Sequence, residues 1–187
     1  MIRVFPQGRR GVALHNEKRR KKAIRPGYLY ASHTRNGQWD TRSFFEFDLS
    51  SVDLEKLATA KLRINQVQSY RGSASLLPKV NRFALYGLTN SAKANWDLEP
   101  GWDESPNPGD GELVGTFELP RSRMRGTIEI ESPKLLSFLR ERGANPVTLI
   151  LTRETGRIDG LGPAMPHMFA SDKHPEAVGP QLELTVK

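Results

Sequence analysis

The stretch "HMFASDKHPEAVGPQLELTV", residues 167–186, sets two histidines, an aspartate and a glutamate ahead of an alternating run. Such a cluster reads as a ligand set or as a polar loop feeding a last strand. The run behind it decides. Leu182, Leu184 and Val186 fall on one face and Gln181, Glu183 and Thr185 on the other, the pattern of a half-buried β-strand. His167, Asp172, His174 and Glu176 are therefore read as the polar turn before a closing strand, and no metal site is assigned to them or to His15 and His33.

The same alternation recurs upstream. "GYLYAS" (27–32), "RSFFEFDLS" (42–50), "AKLRINQV" (60–67), "NRFALYGL" (81–88), "ELVGTFEL" (112–119), "GTIEIE" (126–131) and "PVTLILT" (146–152) are each bounded by turn residues. In residues 42–50, Phe45, Phe47 and Leu49 share one face, and Phe44, Glu46 and Asp48 the other. A helix is expected in "ESPKLLSFLRERGANP". There Ser132 suits the N-cap, Pro133 the first helical position and Gly143 the stop, with Leu135, Leu136, Phe138 and Leu139 as the apolar stripe. Residues 89–112 read as a long loop whose Trp96 and Trp102 anchor it to the body. The fold class expected is all-β: a jelly-roll-like antiparallel β-sandwich with one short covering helix and a basic N-terminal arm.

The arm is a matter of charge. The chain of 187 residues carries 28 Lys and Arg against 21 Asp and Glu. Nine of those bases lie in residues 1–27 against the single acid Glu17, so residues 28–187 are close to neutral. The division expected is an arm or strap over 1–27 and a sandwich over 28–187. Lys18, Arg19, Arg20, Lys21 and Lys22 are its candidate contacts with an anionic partner, such as nucleic acid, an acidic glycan or an acidic protein surface. There is no cysteine, which excludes disulfides and thiolate metal sites. No apolar run reaches the length of a signal peptide or a membrane span, and no membrane partner is expected.

The order "RSFFEFDLSSV", "ATAKLRINQV", "FALYGLTNSAKANWDLEPGWDESP", "SPKLLSFLRERG", "VTLILT" and "MFASDKHPEAVGPQLELTV" resembles the DNRLRE-domain family. The positions that carry the likeness are Arg42, Phe47, Asp48, Leu49, Ser50, Ala60, Leu62, Trp96, Trp102, Pro106, Phe169, Ser171, Pro180 and Leu182, across about residues 28–187. The resemblance implies a carbohydrate-binding module on a jelly-roll sandwich.

Catalytic chemistry has little to stand on. No H-E-x-x-H, P-loop, Rossmann glycine pattern or G-x-S-x-G is present, and no catalytic residues are assigned. No cofactor is expected beyond a structural calcium, for which Asp40, Asp48 and Asp103 are the candidate oxygen donors. Sugar binding rests on exposed rings with polar neighbours. Trp39 in "RNGQWDTR", with Asn36, Gln38, Asp40 and Arg42 around it, is the expected platform, and Tyr70 and Arg71 are the other candidates. The expectation is a non-catalytic surface or assembly module, extracellular or on a virion, that recognises polysaccharide, acidic chains included, and forms part of an assembly. The alternative is a purely structural subunit of a virion or surface filament, strapped to a neighbouring structural protein by its basic arm.

Overall fold

The computed structural model describes residues 1–4, 10–15, 25–69, 71–96, 101–142, 146–160 and 165–187. Two antiparallel sheets face each other. One has six strands: β1 (Ile2–Val4), β3 (Tyr28–Ala31), β5 (Leu57–Val67), β8 (Gly126–Glu131), β10 (His167–Ala170) and β11 (Gln181–Val186). The other has five, in the order β2 (Arg10–Leu14), β4 (Thr41–Phe47), β9 (Val147–Arg153), β6 (Val80–Leu88) and β7 (Gly111–Pro120). Most connections cross from one sheet to the other, as in a jelly roll.

Why these segments sit where they do follows from side-chain parity. Leu62 and Ile64 of β5, Leu182 and Leu184 of β11, Phe45 and Phe47 of β4, and Leu149 and Leu151 of β9 all enter one buried cluster between the sheets. Helix α1 (Pro133–Arg142) closes one end of it with Leu135, Phe138 and Leu139. Its N-terminus is capped by Ser132, whose Oγ accepts from the Leu135 N–H at 3.0 Å. The Phe138 ring lies on the backbone of Gly87, where a Cβ would stand 2.3 Å from the ring and could not be accommodated. The expected Gly143 stop lies outside the described residues.

Three strands differ from expectation. "HMFAS" was expected only as the lead into a polar turn; it enters that turn as β10, a strand between β3 and β5 with all four residues buried and hence no alternation to read. β1 and β2 correct the division at residue 27. Ile2–Val4 pair with β11 and Arg10–Leu14 with β4, so both belong to the sheets. The two arginines there are committed locally: Arg3 pairs with Glu183 at 3.0 Å and Arg10 with Asp172 at 2.9 Å. Gly11 is required because the Phe44 ring lies over it, within 2.1 Å of where a Cβ would project. The expected contacts Lys18–Lys22 lie outside the described residues.

A second, smaller core forms on the outside of the five-stranded sheet. Ala13, Phe44, Leu88, Trp96 and Ile150 pack there beneath the loop that follows β6, with Tyr86 and Trp102 at the margin. Trp96 meets the Phe44 ring edge-on at 4.6 Å and donates its Nε1–H to Thr148 Oγ1 at 3.1 Å. This explains how Phe44, on the mixed face of its strand, is nevertheless fully buried.

Candidate functional site

Beside that loop lies a cleft of about 240 Å³ on the outer face of the five-stranded sheet. Its walls include His33 and Asp40 from the turn before β4, Arg42 from β4, Tyr86 from β6, Trp102 from the loop, and Thr152 and Glu154 from β9 and its exit. Arg42, Tyr86 and Thr152 reach it because outward positions on three neighbouring strands point the same way. A volume below the roughly 300–1,000 Å³ of enclosing ligand pockets suits one small unit of a larger ligand.

Arg42 forms one wall by an unusual route. It is 6% exposed, and its guanidinium closes the loop turn: Nη2 donates to Trp102 O and Ser105 O, and Nε and Nη2 to Ser105 Oγ. Its carbon Cζ lies 3.9 Å from the Trp102 ring centroid, and that ring also stacks with His15 at 5.1 Å. Burial lowers the Arg42 pKa to about 10, so the side chain is cationic at neutral pH. Asp40 is occupied by its own turn, accepting from Thr34 N at 2.6 Å and pairing with His33 Nδ1 at 3.0 Å.

Other groups in the cleft are left over. Among the described residues, Arg42 Nη1, the Tyr86 hydroxyl, the Trp102 indole N–H and the Glu154 carboxylate have no hydrogen-bond partner, and none is sealed from solvent. Partial burial first, and then the Glu154 charge, hold the Tyr86 phenol above its ordinary pKa. It therefore stays protonated and able to donate. Donor, amphoteric and acceptor groups thus stand beside an aromatic surface.

The expected site residues fare unequally. Arg42 lines the cleft, though mainly as a clamp. Trp39 is half-buried in the 34–40 turn, where its N–H donates to Thr34 Oγ1 and its carbonyl accepts from Ser32 Oγ, and it is not among the cleft-lining residues. Tyr70 lies outside the described residues. Arg71, expected as a ligand contact from a loop, is 3% exposed. Its Nη1 bonds His167 Nε2 at 3.0 Å and its Nη2 the Arg123 carbonyl at 3.0 Å.

His167 is likewise corrected, from a turn residue to a buried one. Its Nδ1 faces Arg153 Nη1 at 3.0 Å, and its ring meets Phe83 edge-on at 5.0 Å. Desolvation, followed by the charges of Arg153 and Arg71, drives its pKa far below the usual imidazole range, so the ring is neutral. Arg153 is itself lowered to about 10, by burial first and then by Arg71. It ties this interior cluster to the cleft, donating to Met165 O at 2.6 Å and Thr155 O at 2.8 Å. Nothing local in the sequence signals this arrangement, because Arg71 and His167 are 96 residues apart.

No group of three or more His, Asp or Glu side chains gathers as a metal site among the described residues. Of the calcium candidates, Asp40 is used as above and Asp48 accepts from Ser50 N at 2.8 Å.

No family model matches the chain. No curated protein matches it either. A solved structure similar to it is a recombinantly expressed latent aurone synthase, a polyphenol oxidase. It shares 16% identity over 92% of this chain and 27% of that one, with a TM-score of 0.38. The chain spans about a quarter of that structure's length, and a likeness at this level assigns no function.

Proposed function

We propose that this protein is a non-catalytic, surface-displayed β-sandwich module that binds polysaccharide in the Tyr86–Trp102 cleft, outside the cell or on a virion. One observation carries the reading: free donor and acceptor groups on Arg42, Tyr86, Trp102 and Glu154 converge beside aromatic surface in an open cleft. Sugar rings present apolar C–H faces ringed by hydroxyls that both donate and accept, and such a lining matches them. Each bond left unmade in the free protein becomes available to the ligand without breaking one inside the fold. The resemblance to the DNRLRE-domain family supports the same class of ligand, and the basic run Lys18–Lys22 favours acidic chains.

Glycan-array screening followed by affinity electrophoresis tests the proposal. Tyr86→Phe and Glu154→Gln are each expected to weaken binding by about 5- to 15-fold, the worth of a single hydrogen bond, with the unfolding midpoint unchanged. Trp39→Ala is expected to leave affinity intact. Absence of glycan binding, with co-purification in a larger particle, favours the purely structural subunit.

A further inference from the structure

The near-neutral charge of residues 28–187 conceals an uneven distribution. On the outer face of the six-stranded sheet, cations and carboxylates pair across the strands. At the end of the sandwich where β7 turns into β8, they do not. Arg121, Arg123 and Arg125 lie in that turn, next to Lys79 and Arg82 at the start of β6, and among the described residues none of the five has an ion-pair partner. Arg121 N bonds the Lys79 carbonyl at 2.9 Å, which fixes the turn against β6. Glu118 stands across from Arg82 in the β6–β7 register without pairing to it. Beneath the turn, Arg71 adds a buried charge whose Nε has no hydrogen-bond partner among the described residues.

The hydrogen bonds these arginines do make narrow the ligand. Arg121 Nη1 donates to Ser75 O at 2.9 Å and Leu77 O at 3.1 Å, Arg123 Nη2 to Thr127 O at 2.7 Å, and Arg125 Nη2 to Gln68 Oε1 at 3.1 Å. Gly126 allows the Arg123 contact: at φ +123° the chain bends so that the guanidinium folds back over it. Each of these bonds engages one Nη group and leaves the remaining guanidinium donors, the Nε–H included, to a ligand, so single N–H donors from several residues stand around one turn. A tetrahedral oxyanion collects donors of that kind.

We infer that the β7–β8 turn, with Lys79 and Arg82, forms an oxyanion site that takes the sulfate esters of a polysaccharide. This rests on the glycan-binding reading of the cleft, because the two surfaces adjoin. Arg82 lies on the same outward face of β6 as Tyr86, four residues away, and its carbonyl accepts from the N–H of Glu154 in the cleft wall at 2.9 Å.

Binding of the full chain to dextran sulfate, carboxymethyl-dextran, neutral dextran, a 20-base-pair duplex and inorganic sulfate decides the matter. The expected result is preference for dextran sulfate, with affinity falling about 20- to 100-fold between 50 and 200 mM salt, as three to five neutralised charges require. The triple variant Arg121→Gln, Arg123→Gln, Arg125→Gln is expected to abolish it. The pair Lys79→Gln, Arg82→Gln leaves the turn untouched and is expected to weaken it. Equal binding of carboxymethyl-dextran, or tighter binding of the duplex, overturns the assignment. Loss on the triple variant but not on Tyr86→Ala keeps this site and discards the cleft; loss on Tyr86→Ala alone does the reverse.

Discussion

On the outer face of the six-stranded sheet, Arg3, Lys61, Arg63, Glu129, Glu131 and Glu183 fall into register so that each cation meets a carboxylate. Arg63 reaches Glu183 at 3.0 Å and Glu129 at 3.3 Å, and Lys61 reaches Glu129 at 3.1 Å. On the outer face of the five-stranded sheet, Arg42, Tyr86 and Glu154 share a cleft and do not bond one another. The first face is a flat surface whose charges satisfy themselves. The second is covered in part by a loop on a small core of its own, and it keeps polar groups in reserve. Paired charges at a surface satisfy one another, whereas groups without a protein partner beside an apolar wall are left to water and, under the proposed reading, to a ligand.

The contrast can be broken from the loop side. Trp96 is 4% exposed and wedged against Phe44, so Trp96→Ala is expected to cost about 3–5 kcal/mol in urea unfolding and to abolish glycan binding together with the cleft wall. If the cleft keeps its affinity, the loop is not what shapes it. Next in size is Arg42→Met, which removes the clamp on Trp102 and Ser105. A loss of about 1–3 kcal/mol is expected, tempered by relief of the buried charge, with binding reduced more than the stability change alone explains.

The smallest effect belongs to the paired face. A hydrogen bond from Arg63, aided by the charges of Arg63, Arg3 and Lys61, holds the Glu183 carboxyl below its ordinary range. Its folded pKa is thus below its unfolded one. The stability it contributes is present above the usual carboxylate pKa and is lost as pH falls through the folded value. Glu183→Gln is expected to flatten that part of the acid limb of the stability profile and leave glycan affinity unchanged. A change in affinity would show the two faces to be coupled.

The sandwich was legible wherever a strand had one wet face. β5, β8 and β11 alternate, and each reads correctly. β10 did not, because its four residues are all buried and too few to show a pattern, unlike the longer buried runs of β4 and β9, and β1 and β2 did not, because their arginines made them look like part of a charged tail. The site was harder to read. Arg42 could be placed on an outward face, but its role depends on Ser105, 63 residues away. Tyr86 and Glu154 carry no local signal, since what distinguishes them is the absence of a partner. Trp39 drew attention by its neighbours in sequence, yet Asp40 hydrogen-bonds within that turn and Arg42 turns to the loop at Trp102 and Ser105.

The position of β5 has a consequence for how the protein is made. One edge of that strand, residues 57–67, is completed by β10 and β11, drawn from residues 167–186. A ribosome that has released β5 must go on for more than a hundred residues before that edge is covered. In that interval the nascent chain exposes a long template for strand pairing, and the six-stranded sheet closes only once residues 167–186 have emerged.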